Sequence, residues 1–380
     1  LICNIDLVTD NSLTTAERAQ YKAEAKIFRA MVMFDMVRLW GDFPVITTVA
    51  DDITSENIDE VYPQYFPKQN TELEAYQQIE KDLLDAVLYA PDNTPGNKTL
   101  FSKSVARTLL AKIYAEKPLR DYTKVIQYCD EVKADGFDLV DDFSDLFGMN
   151  AAGTDAKMRN TKESILEAQF TSGAGNWCTW MFGRDLVNWN NNFTWAKWVT
   201  PSRDLISAFK QEGDEVRFKE SIVYYDCNWS NYYPSDNYPF MYKCRSANSS
   251  IIKYRYADVL LLKAEALIMQ DTPDLEGAAD IIDEVRDRAK LGALPTSVRS
   301  NKNVLLNALL KERRLELAFE GQRWFDLVRL DKVEEVMNAV YAKDSGRKAQ
   351  IYTFDKNSYR LPIPQSVIDA NDKIHQNPGY

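Results

Sequence analysis

The chain has 380 residues, of which 45% are hydrophobic and 27% are charged. This length and composition are typical of an ordinary globular protein with a sizeable core, built as one large domain or as two to three small ones. The formal net charge is −11, and the acidic residues are spread along the chain. Nucleic-acid-binding proteins and proteins that bind anionic membranes need basic surface, so the charge argues against both classes.

The five cysteines are Cys3, Cys129, Cys178, Cys227 and Cys244, and they form no C-x-x-C spacing. An odd number without that spacing fits neither a zinc site nor a dense disulfide framework. Cys178 and Cys227 could pair, or the thiols could be isolated, so the redox compartment stays open. The sequence has no run of about 18 apolar residues, which argues against a membrane-spanning helix.

Two long helices are predicted near the start of the chain. Residues 15–40 carry apolar side chains at helical spacing, and Gly41-Asp42 ends the helix. Residues 70–90 form the second helix. Thr71 is its expected N-cap, because Glu74 follows three residues later and completes a capping box.

Two helical pairs follow, one at 104–116 and 122–136 and the other at 255–269 and 275–290. When the first helices of the pairs are aligned, five positions match: Ala106 with Ala257, Leu109 with Leu260, Leu110 with Leu261, Lys112 with Lys263, and Ala115 with Ala266. Small residues at fixed positions let paired helices approach closely, as in tetratricopeptide (TPR) arrays, although a strict 34-residue period is absent. We interpret the pairs as TPR-like.

The composition changes over residues 176–242, which hold six of the eight tryptophans, many tyrosines and several asparagines. Helical periodicity fails there except around residues 202–209. We predict a loop-rich aromatic elaboration set into the helical scaffold, which is where binding residues tend to lie.

Residues 312–330, ERRLELAFEGQRWFDLVRL, read as a helix that mixes charged and apolar side chains. In a catalytic interpretation, Glu316 and Glu320 form an acid–base pair on one helix face. In a structural interpretation, they pair with Arg313 and Arg323 at i−3 and i+3 in a partly buried ion network. We favour the structural interpretation. Gly321 would allow close packing or break the helix.

Five segments in order resemble landmarks of the SusD/RagB family, the surface glycan-binding lipoproteins of Bacteroidetes-type outer membranes. They are AEAKIFRAMVMFDMVRLWGDFPVI (24–46), TPSRDLISAFKQEGDEVRF (200–218), KYRYADVLLLKAEAL (253–267), the 312–330 stretch, and LPIPQSVIDANDKIHQNPGY (361–380). The resemblance covers nearly the whole chain.

The resemblance implies a mainly α fold with TPR-like helical pairs (a SusD-like α–α superhelix), an irregular aromatic elaboration and few short strands. It implies one domain over 1–380, helical over 1–140 and 251–380, with an aromatic-rich ligand-binding part at 141–250. Family members normally begin further upstream with a lipidated cysteine. We therefore expect Leu1 to be an internal position of an outer-membrane, surface-exposed lipoprotein whose anchor lies outside this sequence.

The implied function is non-catalytic binding of oligosaccharide or polysaccharide and its delivery to a TonB-dependent SusC-type porin. Aromatic faces fit the C–H faces of sugar rings, and neighbouring polar groups bind hydroxyls. Most tryptophans could equally be core residues of the segment. The ligand-binding candidates are Trp177, Trp180, Arg184, Trp189, Asn191, Trp195, Trp229 and Tyr232. No cofactor, metal or nucleic-acid partner is expected.

Other residues carry less signal. His375, the one histidine, has no partner that the sequence shows, and we interpret it as incidental. Asp141, Asp142 and Asp145 could contact Ca²⁺, but they lack the glycine and distal glutamate of a calcium loop, so a solvated turn is preferred.

Two alternative functions stay open. A helical glycoside hydrolase would use carboxylates such as Asp185, Asp204 or Asp226 near the aromatic segment. A TPR-type scaffold would instead bind a protein or peptide in its helix grooves.

Overall fold

The computed structural model describes residues 1–9, 12–170, 199–226, 233–234, 236–343 and 353–380. The helices are α1 (Thr15–Trp40), α2 (Ile58–Val61), α3 (Glu72–Tyr89), α4 (Lys103–Ala115), α5 (Tyr122–Ala134), α6 (Ser144–Phe147), α7 (Arg203–Glu212), α8 (Glu215–Ser221), α9 (Tyr256–Met269), α10 (Leu275–Arg288), α11 (Thr296–Arg299), α12 (Lys302–Glu316), α13 (Arg323–Arg329), α14 (Val333–Lys343) and α15 (Gln365–Ala370). The strands are β1 (Ser164–Ala168), β2 (Ile222–Tyr225), β3 (Tyr238–Met241) and β4 (Ile251–Arg255). In the described part of the chain, no helix is long and apolar enough to cross a membrane. The fold is mainly α, as the sequence predicts.

Both long N-terminal helices begin with a capping box. The Thr71 hydroxyl accepts a hydrogen bond from the Glu74 backbone N–H at 3.3 Å, and the Glu74 carboxylate accepts one from the Thr71 N–H at 2.8 Å. The predicted cap is thereby confirmed. Thr14 and Glu17 start α1 in the same way. At the other end of α1, Gly41 has a φ of 73°, which favours glycine.

The two predicted helical pairs are present as α4–α5 and α9–α10, and they pack against each other through α5 and α9. Alanines lie at the helix contacts, and the matched residues Ala106, Ala257, Ala115 and Ala266 are all buried. Without long side chains at these positions, the helix axes can approach closely. The small residues that match between the pairs therefore occupy core positions.

A continuous apolar core runs through α1, α3, α4, α5, α9, α10 and α12. Ile27, Leu83, Leu109, Leu261 and Ile282 are among its side chains and have no exposed surface. Each buried side chain of this size contributes about 1.5–3 kcal/mol of hydrophobic free energy. The helices that share this core form one packed scaffold.

Two antiparallel strand pairs carry the irregular part of the fold. In one pair, Ser164 of β1 lies opposite Arg255 of β4, and Ala168 lies opposite Ile251. In the other, β2 pairs with β3 along its full length. The β1–β4 pair brings charged side chains next to α12, where they enter the ion networks described below.

The stretch 312–330 is not one helix, so that prediction is wrong. Helix α12 ends at Glu316, and α13 begins at Arg323. Between them Phe319 has a φ of 66° and Gly321 a φ of 74°. A right-handed helix cannot continue through residues with positive φ, so the chain turns here.

The C-terminal tail returns to the end of α1. The Leu361 N–H donates to the Leu39 carbonyl at 2.7 Å, and the Asn377 side chain donates to the Trp40 carbonyl at 2.9 Å. Arg360 forms an ion pair with Glu72 at 2.5 Å. The first and last parts of the chain are thus held together by specific polar contacts.

Candidate binding cavity

All eight predicted ligand-binding residues lie outside the described residues. They are Trp177, Trp180, Arg184, Trp189, Asn191, Trp195, Trp229 and Tyr232. Within the aromatic segment 176–242, the structure describes residues 199–226, 233–234 and 236–242.

A cavity of about 640 Å³ is lined in part by this described portion. Val199 and Met241 line it, as do Lys243 and Cys244 just after the segment. The remaining lining residues are Asp35, Arg38, Leu39, Phe147, Ser250, Ile251, Ile252, Lys253, Phe319, Glu320, Gly321, Gln322 and Phe325. Two residues of the aromatic segment, Val199 and Met241, therefore border the cavity, and its volume is in the usual range for small-ligand sites.

The cavity wall is mainly apolar, with a few charged groups. Arg38 lies between two aromatic rings: its guanidinium carbon is 4.0 Å from the centroid of Phe34 and 4.0 Å from that of Phe325. The two cation–π contacts restrict the guanidinium and join α1 to α13. The Arg38 side chain is therefore rigid where it meets the cavity.

Asp35 is the acceptor at the centre of the polar groups on this wall. Its carboxylate is 2.5 Å from Arg38 Nη2 and 2.7 Å from Lys253 Nζ. Burial raises the pKa of Asp35, but Arg38 and Lys253 outweigh this effect and the net pKa is lowered. The side chains of Asp35 and Lys253 are 35% and 36% exposed, so a ligand in the cavity can reach both.

Lys243 and Glu320 form the buried end of the cavity. Lys243 Nζ donates to Glu320 Oε1 at 2.5 Å and to the Glu316 carbonyl at 2.9 Å. Burial lowers the pKa of Lys243 to about 8, against the opposing effect of Glu320. Both groups have protein partners, so they provide a polar floor.

The cavity has the chemistry of a binding site. A general acid needs a carboxyl group whose pKa is raised, whereas the pKa of Asp35 is lowered. Glu320 accepts from both Lys243 and Arg255, which occupy its carboxylate oxygens. Apolar walls with a few fixed donors and acceptors suit a ligand that has both hydrophobic faces and hydroxyl groups.

Glu316 lies in a buried ion network behind this floor. Its carboxylate accepts from Arg255 at 2.5 Å, from Arg217 at 3.0 Å and from Arg288. Burial alone would raise the pKa of Glu316, but Arg288, Arg255 and Arg217 outweigh burial and hold the pKa well below its ordinary value. Glu163 adds a second shared carboxylate, 2.7 Å from both Arg255 and Arg288. A fully enclosed carboxylate with three arginine partners cannot exchange protons with a substrate.

Arg313 belongs to a second network on the other side of α12. Its guanidinium contacts Asp326 at 2.8 Å and Asp258 at 2.7 Å. Lys112 also reaches Asp258 at 2.5 Å. Burial raises the pKa of Asp258, but Lys112 and Arg313 outweigh it and lower the net pKa.

The predicted pairing of Glu316 and Glu320 with Arg313 and Arg323 is wrong. Neighbours along one helix were the expected partners, but the helix breaks between Glu316 and Arg323, and the partners come from distant elements. Arg323 donates to the Leu310 carbonyl at 2.8 Å and, within the described ranges, forms no ion pair. Burial, followed by the nearby Arg314, lowers the pKa of Arg323 to about 10.

Of the carboxylates named for the hydrolase alternative, the structure describes Asp204 and Asp226. Asp204 is bound to Arg314 at 2.6 Å and to Lys343 at 3.4 Å. Burial raises the pKa of Asp204, but these cations outweigh it and lower the net pKa. Asp226 is exposed at the end of β2, and Asp185 lies outside the described residues.

The other sequence candidates also have structural partners. Asp142 and Asp145 contact Lys157 at 3.0 and 2.7 Å, and Asp141 contacts Lys162 at 3.1 Å. Among the residues that the structure covers, no group of three or more histidine, cysteine or acidic side chains could hold a metal ion. His375 is exposed, and its backbone exchanges hydrogen bonds with Gln69.

Sequence reasoning missed Asp35, Arg38 and Lys253 as cavity residues. A signal was present in α1, where MVMFDMVRLW places Asp35 and Arg38 at i,i+3 within an apolar run. Charges inside such a run need partners. Lys253 gives no such signal, because only the pairing of β4 with β1 brings it to α1.

Two family models match the chain. The model described as "SusD family" matches residues 236–380, and the model described as "Starch-binding associating with outer membrane" matches residues 3–115. The matches leave residues 116–235 between them, which include most of the aromatic segment.

Individual proteins are similar over nearly the whole chain. "SusD-like protein P2" of Formosa agariphila is 28% identical over 428 aligned positions, which include 100% of this chain and 77% of that protein. "Starch-binding protein SusD" of Bacteroides thetaiotaomicron is 24% identical, with 99% of this chain and 76% of that protein covered. A solved structure titled "Laminarin binding SusD-like protein" superposes with a TM-score of 0.72 at 23% identity, covering 100% of this chain and 82% of that one. The helical scaffold, the order of its landmarks and these matches show that the chain belongs to the SusD/RagB family.

Proposed function

We propose that the protein binds glycans without cleaving them, at a site formed by the aromatic residues of segment 176–242 above the 640 Å³ cavity. The observation that carries the proposal is that two residues of this tryptophan-rich segment, Val199 and Met241, border a cavity with apolar walls and a few charged groups. The family match supports the ligand class, since one matching model is described as starch-binding and one structural neighbour is titled as laminarin-binding.

The proposed mechanism uses stacking and hydroxyl recognition. Tryptophan faces cover the C–H faces of sugar rings, and polar groups such as Arg184 and Asn191 bind the hydroxyls. At the cavity, Asp35 accepts from hydroxyl donors and Lys253 donates to hydroxyl oxygens, and both side chains are partly exposed. Each site has modest affinity, and repeated contacts with a long polymer raise the overall affinity.

The proposal extends to location and partner. One family model is described as associating with the outer membrane. We place the protein on the outer surface of that membrane as a lipoprotein that passes glycan to a SusC-type TonB-dependent porin. The division of the chain into helical parts at 1–140 and 251–380 and a ligand-binding part at 141–250 belongs to the same proposal.

Calorimetry with a panel of neutral glycans that includes maltoheptaose and laminarin tests the function. A triple Trp177→Ala, Trp189→Ala and Trp229→Ala variant should weaken binding by at least roughly tenfold, because the aromatic faces that cover the sugar rings are removed. The matched control replaces the same three residues by Phe, which keeps an aromatic face at each position and should retain most of the affinity.

Two results would contradict the proposal. Unchanged affinity in the triple Ala variant, with wild-type circular dichroism, would show that the assigned residues are not the site. Release of reducing ends during incubation with a bound glycan would show that the protein is a hydrolase.

A further inference from the structure

A second cleft, of about 460 Å³, lies between the segment that follows α2 and the C-terminal helix α15. Tyr62, Pro63 and Phe66 form one side, and residues 369–373 form the other. None of these residues lines the larger cavity. The cleft is therefore a separate feature of the surface.

The first side of the cleft is an exposed aromatic platform. The rings of Tyr62 and Phe66 are 5.0 Å apart between centroids and are tilted by 52°. Tyr62 is 52% exposed, although its ring would gain free energy from burial in the core. The exposed Tyr62 ring and the partly buried Phe66 ring beside it offer an apolar surface of the kind that sugar rings cover.

The second side supplies hydrogen-bond acceptors. Asp369 and Asp372 are both exposed, and the Asp372 carboxylate has no partner among the described residues. Asp369 accepts from Gln365 at 2.7 Å through one oxygen. The cation in the cleft, Lys373, donates to the Phe66 carbonyl at 2.9 Å and is oriented by that bond. Free carboxylate oxygens here can accept hydrogen bonds from hydroxyl groups.

The two sides of the cleft are fixed relative to each other. The buried Asn371 donates to the Pro67 carbonyl at 2.8 Å, and its own side-chain oxygen accepts from the Lys373 N–H at 3.1 Å. Next to them, Gln69 and His375 exchange two hydrogen bonds of 3.1 and 2.8 Å. Such cross-links keep the aromatic platform opposite the carboxylates, so little ordering is needed when a ligand binds.

We infer that this cleft is a second glycan-contact site, selective for neutral sugar chains. The inference rests on the proposed function for its ligand class. Two carboxylates face one lysine that is already hydrogen-bonded, on a protein of net charge −11, so uronic-acid and sulfated glycans are repelled. A polymer that contacts this cleft and the aromatic segment together is retained more strongly than by either alone.

The experiment compares the wild type, Tyr62→Ala, Asp372→Asn and the triple Trp variant. Calorimetry with maltoheptaose and the other panel glycans gives the number of sites, and affinity electrophoresis in gels that contain the polymeric glycan gives retention. Tyr65→Ala is the matched control, because Tyr65 is 49% exposed on the same turn but does not line the cleft.

Wild-type protein should bind neutral oligosaccharide at two sites. In Tyr62→Ala the weaker site should be lost and polymer retention should fall at least threefold, and Asp372→Asn should weaken the same site. The triple Trp variant should keep the site that depends on Tyr62. Polygalacturonate should bind to none of the variants.

The possible negative results distinguish between the second site, the proposed function and the selectivity for neutral chains. If Tyr62→Ala and Tyr65→Ala behave alike while the triple Trp variant loses all binding, the second site is overturned and the proposed function stands. If the wild type binds no glycan of the panel, both are overturned. Retention by polygalacturonate that depends on Tyr62 would overturn the selectivity for neutral chains.

Discussion

Glu316 shows how one residue can be misjudged from its sequence neighbours. Its three arginine partners lie 28, 61 and 99 positions away, at Arg288, Arg255 and Arg217. Helical spacing suggests partners three or four positions away, so it could not indicate these. The apolar neighbours of Glu316 in the sequence do indicate that its charge is buried, which supports the structural interpretation. Which arginines pair with Glu316 is determined by tertiary structure and could not be predicted.

Removing the Glu316 charge should be strongly destabilising. Glu316→Gln keeps the shape of the side chain but leaves Arg217, Arg255 and Arg288 without the carboxylate that they share. Breaking a buried ion pair in this way costs about 3–5 kcal/mol. Urea denaturation at pH 7 should show this loss in the free energy of unfolding.

Glu276→Gln is the matched control for that measurement. Glu276 also pairs with an arginine, Arg299, but its side chain is 67% exposed. An exposed ion pair contributes about 0–1 kcal/mol, so the control should unfold almost as the wild type does. Equal losses in the two variants would show that the Glu316 network does not contribute as a buried network should.

At the scale of elements, the turn between α12 and α13 contains two residues with the same unusual backbone conformation but very different side chains. Phe319 and Gly321 both have positive φ. The Gly321 signal is visible in the sequence, and a helix break was one of its two expected roles. The Phe319 conformation could not be predicted, because tertiary contacts hold a bulky residue there; its side chain packs against the cluster that includes Leu315 and Ala318.

Gly321→Ala should destabilise the protein through backbone strain alone. No atom lies within 4 Å of the position that a Cβ would take, so steric contact adds nothing, but φ is +74°. An L-residue in this region costs roughly 1–2 kcal/mol. Gly292→Ala is the control, since Gly292 is equally open and carries no positive φ. Comparable stability of the two variants in thermal unfolding would contradict the assignment of strain.

At the scale of the whole molecule, the helical scaffold was more predictable than the binding site. Helices α1, α3, α4, α5, α9 and α10 all pack against one core, so their apolar residues recur with the 3.6-residue period of a helix. This period can be recognised in the sequence. The cavity is assembled from residues as far apart as Asp35, Val199 and Phe325, which no local pattern connects. Segment 176–198 lacks periodicity, so its composition indicates chemistry without indicating geometry.

The two ion networks make the stability of the molecule depend on acid pH. The pKa values of Glu316, Asp258 and Asp326 are lowered in the folded state, because arginine or lysine partners outweigh burial. A carboxylate whose pKa is lowered by folding stabilises the folded protein fully at pH values above its pKa in the unfolded chain. This stabilisation is lost as pH falls through its pKa in the folded protein. The free energy of unfolding should therefore stay nearly constant from pH 7 to about 5 and decrease steadily at lower pH.

Urea titrations at pH 7, 5, 4 and 3 check this expectation. The decline should be shallower in Glu316→Gln, which lacks one of the titrating groups. A free energy of unfolding that does not change down to pH 3 would contradict the lowered pKa values.

The position of Glu316 in the chain also matters during synthesis. Arg217, Arg255 and Arg288 leave the ribosome before the carboxylate that all three share. Earlier carboxylates can pair with them, Glu163 with Arg255 and Arg288 and Asp214 with Arg217, but the carboxylate that contacts all three arginines is still missing until α12 is available. The buried network around Glu316 can therefore be completed only after residue 316 has emerged, late in the synthesis of the chain.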